Sequence, residues 1–193
     1  STALELGGEN GNWAIVRKDA NLKDTARKIA FFKILNSGQI CINVNQIAVA
    51  KEVANQFIDC LKNEFIRFLG NEPLKNTEYP HLISKGAYQS CKNEADLYQE
   101  RIVYGGKGDE ETLKFMPTII YPVNIDEPIV NHELFNPLLP IVVFEDDNVD
   151  TLLDVIASRE HGLALYLFTK NIKWANQTVQ KQQFGGGCIN EVI

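Results

Sequence analysis

The sequence has 193 residues, of which 45% are hydrophobic and 23% are charged, values typical of a soluble globular protein with a substantial core. Its formal net charge of -6 disfavours nucleic acid and anionic membranes as partners, and no apolar run is long enough to span a bilayer. The four cysteines are widely spaced, without a C-x-x-C pair or clustered histidines, so we expect no metal site, no disulfide framework and a cytoplasmic location.

The chain alternates short apolar strands with amphipathic helices. Strands are predicted over residues 4–6, 13–16, 46–50, 101–104, 118–121, 139–144, 164–168 and 185–190. Helices are predicted over residues 22–35, 53–69, 85–98, 149–158 and 172–183. Asn21 and Ser84 suit the N-caps of the first and third helices, and Gly70 suits the end of the second.

Several of these strands are near-continuous apolar runs, which is typical of strands covered on both faces. We therefore predict one α/β domain over residues 1–193, with an open, mostly parallel twisted sheet and helices on both faces. Pro122 is expected to end the strand before it. The glycine-rich residues 105–109 resemble a phosphate loop, but no helix follows them, so a tight hairpin turn is predicted instead.

Residues 36–43 read Asn-Ser-Gly-Gln-Ile-Cys-Ile-Asn and connect the first helix to the third predicted strand. Asn36 and Ser37 favour a turn that ends the helix, and Gly38 permits a positive φ and the close approach of a ligand. Cys41 thus lies on a connection, where binding and catalytic groups concentrate. The alternative is a free cysteine that only fills space, the reading we adopt for Cys60 and Cys188.

Three separated motifs occur in a fixed order along the chain. They are Glu-Leu-Gly-Gly at 5–8, Asn-Ser-Gly-Gln-Ile-Cys at 36–41 and Glu-Leu-Phe-Asn-Pro at 133–137, the last followed by Leu-Pro-Ile at 139–141. Their order and spacing resemble the catalytic half of the NAD(P)-dependent aldehyde dehydrogenases, most of all the short, class 3-like branch. The resemblance covers essentially the whole chain.

The resemblance implies a role for each matched position. Cys41 matches the nucleophile, which forms a thiohemiacetal with an aldehyde substrate and, after hydride transfer to NAD or NADP, a thioester. Glu5 matches the general base that activates water. Glu133 and Phe135 match the cofactor-binding residues at the nicotinamide ribose and ring, and Asn190 matches a position that lines the substrate tunnel.

The chain also departs from the family pattern. Asn136 stands where the family usually has glycine, His132 where it has an acidic residue, and Glu9 where it has lysine. Family members carry a Rossmann coenzyme domain before Glu5 and an oligomerisation arm after the catalytic domain. The resemblance therefore implies a homo-oligomeric full-length protein and a 193-residue chain that is inactive as a dehydrogenase by itself.

Two other functions stay open on the sequence alone. One is a CoA-acylating aldehyde dehydrogenase, in which coenzyme A rather than water accepts the acyl group. The other is a non-catalytic remnant that binds a partner chain. No catalytic role is assigned to His81, His132 or His161, because none of them falls in a recognisable motif.

Overall fold

The computed structural model describes residues 11–159, 164–181 and 186–192. The strands in these ranges are β1 Asn12–Val16, β2 Val44–Ala50, β3 Ile102–Tyr104, β4 Gly108–Asp109, β5 Lys114–Phe115, β6 Thr118–Val123, β7 Leu138–Phe144, β8 Ala164–Phe168 and β9 Gly186–Ile189. The α-helices are α1 Leu22–Ile34, α2 Ala54–Leu69, α3 Lys85–Leu97, α4 Val149–Ala157 and α5 Ile172–Lys181. The strand predicted at 4–6 lies outside the described residues.

Seven of the described strands form one sheet, in the order β3-β6-β7-β2-β1-β8-β9. Every neighbouring pair is parallel except β3 and β6, which are antiparallel. The two-residue strands β4 and β5 pair with each other outside this sheet. The prediction of an open, mostly parallel sheet is therefore confirmed.

The central strands divide their side chains between two hydrophobic cores, because successive residues of a strand point to opposite faces. Trp13 and Ile15 of β1 belong to the core that α3, α4 and α5 cover. Ala14 and Val16 belong to the opposite core, which α1 and α2 cover. Helices thus lie on both faces of the sheet, as predicted.

The predicted helix caps are present. The Asn21 side chain accepts a hydrogen bond from the Asp24 N–H at 3.1 Å, and the Ser84 hydroxyl accepts one from the Ala87 N–H at 3.0 Å. Gly70 ends α2 with a φ of 78°, a left-handed angle that glycine adopts without a steric penalty. These caps fix where the chain leaves each helix.

The prediction that Pro122 ends its strand is wrong. Strand β6 continues through Pro122 to Val123, and the pairing with β7 shifts register between Ile120 and Val123. The irregularity accommodates a residue that has no N–H to donate to the ladder.

The predicted hairpin turn at the glycine cluster is also wrong. Gly105 and Gly106 have positive φ values of 82° and 84°, and a Cβ on Gly105 would lie 2.2 Å from the Pro117 carbonyl oxygen. These glycines therefore allow two backbone segments to pass closely. The chain reverses later, at residues 110–113, between β4 and β5.

The cysteines differ in burial from the prediction. Cys60 and Cys188, which were expected in the core, are only partly buried and pack against its margin. Cys91 on α3 is fully buried. Cys60 lies at the side of the apolar stripe of α2, so solvent still reaches its thiol.

Candidate active site

Cys41 lies in the connection between α1 and β2, and its side chain is exposed. The chain leaves α1 through three consecutive left-handed residues, Asn36, Ser37 and Gly38, with φ values of 49°, 52° and 76°. Asparagine and glycine tolerate this conformation better than most residues do. We call residues 36–43 the cysteine turn.

Gln39 holds the cysteine turn in place from inside. Its Nε2 donates to the Asn36 carbonyl at 2.8 Å and to the His81 carbonyl at 3.2 Å, and its Oε1 accepts from the Ile83 N–H at 2.8 Å. The side chain is nearly buried, so water competes little for these bonds. The Gln39 side chain thus connects the cysteine turn to the segment that precedes α3.

Gly38 is required where the cysteine turn meets the loop at residues 131–137. A Cβ on Gly38 would lie 2.2 Å from the Asn136 carbonyl oxygen. The Asn43 Nδ2 donates to the Gly38 carbonyl at 2.9 Å. Asn136, the departure from the family glycine, accepts from the Leu138 N–H at 3.0 Å and so closes its own turn before β7.

The loop at 131–137, which we call the Glu133 loop, carries the two predicted cofactor-binding residues. Glu133 is exposed and Phe135 is 49% exposed, whereas Leu134 between them is buried. The Leu134 carbonyl accepts from the Nδ2 atoms of Asn43 at 3.3 Å and Asn45 at 2.6 Å. Partial desolvation of its carboxylate raises the pKa of Glu133.

The topology explains why these two segments meet. The cysteine turn precedes β2, and the Glu133 loop precedes β7, which is the parallel neighbour of β2. Parallel neighbours begin at the same edge of a sheet, here called the amino edge. Cys41, Glu133 and Phe135 therefore share this edge.

Three buried asparagines that the sequence analysis missed connect the two segments. The Asn12 Nδ2 donates to the Cys41 carbonyl at 2.8 Å, and the Asn12 N–H donates to the Asn45 Oδ1 at 2.8 Å. Asn43 and Asn45 in turn reach Leu134. In the sequence, each of these asparagines stands at or next to the start of an apolar strand. There a side-chain amide can hydrogen-bond to backbone N–H and C=O groups that the sheet does not pair.

A fully buried lysine lies under the same turn. Lys33 on α1 donates from Nζ to the Val44 carbonyl at 2.9 Å, and burial lowers its pKa to about 7. Lysine is almost never fully buried unless it is paired. Its place among the apolar positions of α1 is the only sequence signal for this burial.

His132 ties the Glu133 loop to α3. Its Nε2 lies 2.7 Å from the Glu94 Oε1, and its Nδ1 lies 3.0 Å from the Glu133 carbonyl oxygen. The hydrogen bond to Glu94 raises the pKa of His132. No role for His132 was predicted from the sequence. In the structure its side chain connects the Glu133 loop to α3.

Asn190 does not lie with the other predicted site residues. It follows β9 and therefore lies at the opposite edge of the sheet from Cys41, which precedes β2. Its amide is occupied on both sides, since Nδ2 donates to the Thr169 carbonyl at 2.8 Å and Oδ1 accepts from the Thr169 N–H at 2.9 Å. The substrate-lining role of Asn190 stays a prediction.

The remaining expectations concern Glu5, His161, a metal site and a membrane span. Glu5, the predicted general base, lies outside the described residues, as does His161. Within the described ranges, no three His, Cys, Asp or Glu side chains are grouped so that they could hold a metal ion. No helix in these ranges is long and apolar enough to cross a membrane.

Comparison with known proteins gives consistent matches. The chain is 38% identical to aldehyde dehydrogenase 1 of Entamoeba histolytica over 168 residues, which is 87% of this chain and 31% of that protein. It is 35% identical to aldehyde dehydrogenase family 3 member H1 of Arabidopsis thaliana over 192 residues, 98% of this chain and 39% of that protein. The chain thus spans well under half the length of these relatives.

Solved structures resemble the fold as well. A substrate-bound state of Staphylococcus aureus AldH matches with a TM-score of 0.91 and 28% identity, over 95% of this chain and 40% of that one. The glyceraldehyde-3-phosphate dehydrogenase GapN of Methanocaldococcus jannaschii, complexed with NADP, matches with a TM-score of 0.80 and 29% identity, over 97% and 40%. The model of the aldehyde dehydrogenase family matches residues 1–193, and the chain therefore belongs to that family.

Proposed function

We propose that this chain is the catalytic portion of an enzyme that oxidises an aldehyde to a carboxylic acid with NAD or NADP. The observation that carries the proposal is the contact between the cysteine turn, with its exposed Cys41, and the Glu133 loop at the amino edge. Family membership and the NADP-complexed structure of the Methanocaldococcus jannaschii relative support it.

Cys41 begins the reaction. Its thiolate adds to the carbonyl carbon of the aldehyde, so that a carbon–sulfur bond forms and the carbonyl oxygen becomes an oxyanion. That oxygen needs a fixed donor, and among the described residues the Cys41 N–H donates to no protein acceptor. Loss of one such donor costs roughly 3–4 kcal/mol in comparable sites.

Glu133 and Phe135 fit the nicotinamide end of the cofactor. A carboxylate can accept hydrogen bonds from the two hydroxyls of a ribose, and a half-exposed aromatic ring can pack against a planar group. Both side chains are exposed and flank Leu134. The Leu134 carbonyl is held by the side-chain amides of Asn43 and Asn45. Glu133 and Phe135 would hold the nicotinamide end, which would supply the hydride acceptor; loss of hydride from the carbon attached to the Cys41 sulfur would then leave a thioester.

Glu5 is the proposed general base, which takes a proton from water. The resulting hydroxide attacks the thioester carbon, the carbon–sulfur bond breaks, and the carboxylic acid and the Cys41 thiol are released. Coenzyme A in place of water gives the acylating alternative, and no contact of the described residues favours it.

The experiment uses the protein that contains this chain, with aldehyde and NAD or NADP. Cys41→Ala should reduce turnover roughly 1,000-fold or more, because the nucleophile is removed. Cys60→Ala, a matched change on α2, should have little effect. Glu5→Gln should leave one rapid burst of NADH or NADPH and slow the steady state, since the thioester then accumulates.

Two results would contradict the proposal. One is turnover that persists in Cys41→Ala. The other is alkylation of the folded chain in which mass spectrometry finds Cys60 or Cys91 labelled before Cys41. An equal loss of burst and steady state in Glu5→Gln would refute only the role of Glu5.

A further inference from the structure

Asn12 hydrogen-bonds through both ends of its side-chain amide and through its backbone N–H. Its side-chain Nδ2 donates to the Cys41 carbonyl at 2.8 Å and to the Asn43 carbonyl at 2.9 Å. Its Oδ1 accepts from the Ala164 N–H at 2.8 Å, and its own N–H donates to the Asn45 Oδ1 at 2.8 Å. The residue is 2% exposed, so water cannot replace these bonds.

We propose that Asn12 is a positioning residue for the chemistry at Cys41. This role rests on the proposed function, in which Cys41 is the nucleophile. One planar amide that holds the carbonyls of Cys41 and Asn43 fixes the Cys41–Ile42 and Asn43–Val44 peptide groups. The exposed thiol then stands on a backbone that cannot rotate freely, although its side chain is open to solvent.

The same residue also connects the nucleophile to the Glu133 loop. From Asn12 the bonds run through Asn45 to the Leu134 carbonyl, at 2.8 Å and 2.6 Å. Leu134 lies between Glu133 and Phe135. Asn12 therefore fixes the distance between the thiol and the proposed cofactor contacts, and a misplacement of about 1 Å in such a site can cost about 100-fold in rate.

The two ends of the amide have separable tasks. The oxygen ties β1 to the start of β8 through Ala164 and so supports the fold. The nitrogen holds the cysteine turn. Asn12→Asp keeps the volume and the acceptor but removes both N–H donors, so it tests the second task with the least effect on the first.

The experiment compares two reactions of Cys41 in the protein that contains this chain. Alkylation by iodoacetamide needs only an accessible thiolate. Acylation by p-nitrophenyl acetate needs the thiolate to add to a carbonyl, whose oxygen must meet a donor at the turn, before p-nitrophenolate leaves and a thioester remains. Asn12→Asp should lower the acylation rate about 10-fold or more, and the alkylation rate by less than about 3-fold.

Asn76→Asp is the matched control. The Asn76 amide also bridges two backbone groups, with Nδ2 donating to the Leu69 carbonyl at 3.2 Å and Oδ1 accepting from the Glu78 N–H at 2.9 Å. Neither of these two hydrogen bonds involves the cysteine turn, so neither rate should change. An equal effect of both substitutions would overturn the proposal.

The remaining outcomes are also decisive. If Asn12→Asp lowers both rates equally, or neither, Asn12 has only a structural role and the proposal is wrong. If that variant lacks the circular dichroism of the parent chain, Asn12→Ser replaces it. Its hydroxyl can donate one bond, so an intermediate ratio of acylation to alkylation is expected, and an unchanged ratio would overturn the proposal.

Failure of the proposed function would look different. In that case the parent chain itself would show no acylation at Cys41, and the proposed role of Asn12 would be wrong as well. A parent chain that reacts at Cys41, with a ratio unaffected by Asn12→Asp, would instead count against the positioning role alone.

Discussion

The left-handed residues of the cysteine turn are held in a conformation that costs roughly 1–2 kcal/mol for each residue that carries a Cβ. Asn36 and Ser37 bear this cost, with φ values of 49° and 52°. The hydrogen bonds of Gln39 to the Asn36 carbonyl and the Ile83 N–H offset it. The nucleophile is thus displayed by a segment whose geometry depends on its neighbours more than on its own preferences.

Gly38→Ala should be strongly destabilising. The substitution adds a Cβ to a residue with a φ of 76° and places it 2.2 Å from a backbone oxygen that cannot rotate away. We expect a loss of about 3 kcal/mol or more in the free energy of unfolding, measured with urea.

Gly70→Ala is the control for that loss. Gly70 has nearly the same φ, 78°, but nothing lies within 4 Å of its added Cβ. The backbone penalty alone should then appear, about 1–3 kcal/mol, and it should be smaller than the loss at Gly38. Equal losses at the two glycines would show that the contact with Asn136 is unimportant.

Lys33 makes stability depend on pH in the neutral to alkaline range. Its pKa is about 7 in the folded chain against 10.5 in the unfolded chain, so the unfolded state binds more protons between these values. The free energy of unfolding should therefore rise with pH there, by up to about 1.4 kcal/mol per unit, and fall as the pH drops to 7.

The measurement compares the parent chain with Lys33→Met in urea at pH 7, 8 and 9. The stability of the parent should increase with pH relative to that of the variant. Lys51→Met removes a lysine whose side chain is 69% exposed and should leave the slope unchanged. A constant difference between the parent and Lys33→Met would contradict the prediction.

At the scale of elements, the ion pair of His132 and Glu94 joins α3 to the Glu133 loop. Because the pKa of His132 is raised, the pair stabilises the fold below the unfolded value near 6.5 and loses this contribution as the pH rises through the folded value. His132 is 44% exposed, so solvent screening limits the effect to about 1 kcal/mol or less.

Glu94→Gln should lower the pKa of His132, followed by NMR of the imidazole protons. It should also make the Glu133 loop less stable at pH 6 than in the parent, and equally stable at pH 9. Asp96→Asn removes a surface partner of Lys92 on the same helix and serves as the control. An unchanged His132 pKa in Glu94→Gln would refute the coupling.

For the whole molecule, the two cores share one sheet and should unfold together. Phe57 of α2 lies fully buried in the core that α1 and α2 cover, whereas Trp13 and Trp174 both pack on the opposite core. Phe57→Ala should cost about 3–5 kcal/mol. Tryptophan fluorescence should report this loss in full, although neither tryptophan touches the altered face.

The test is the agreement of two signals. The urea midpoints from fluorescence and from far-UV circular dichroism should shift together in Phe57→Ala. Phe31→Ala, at a position that is 49% exposed, should shift neither by much. Separate midpoints would show that the two cores unfold independently.

Much of this architecture could be predicted from the sequence, because strands with apolar residues on both faces and capped helices have strong local signals. The ends of β6 and the path of residues 105–109 could not, since a register shift and a close backbone contact depend on the partner segments. The position of the cysteine turn followed from its motif. Asn12 and Lys33 were missed because their partners are backbone carbonyls of distant residues, which no periodicity reveals.

The even division of the central strands between two cores has a consequence for deletions. In β2, Ile47 and Val49 face one core while Ala48 and Ala50 face the other. Loss of a single residue from this strand would exchange the two sets, leaving small side chains where large ones are needed and crowding the opposite side. Since Cys41 lies only three residues before β2, the same loss would also shift the thiol relative to its neighbours. We therefore expect β2, which is buried throughout, to tolerate volume-conserving apolar substitutions but no change in its length.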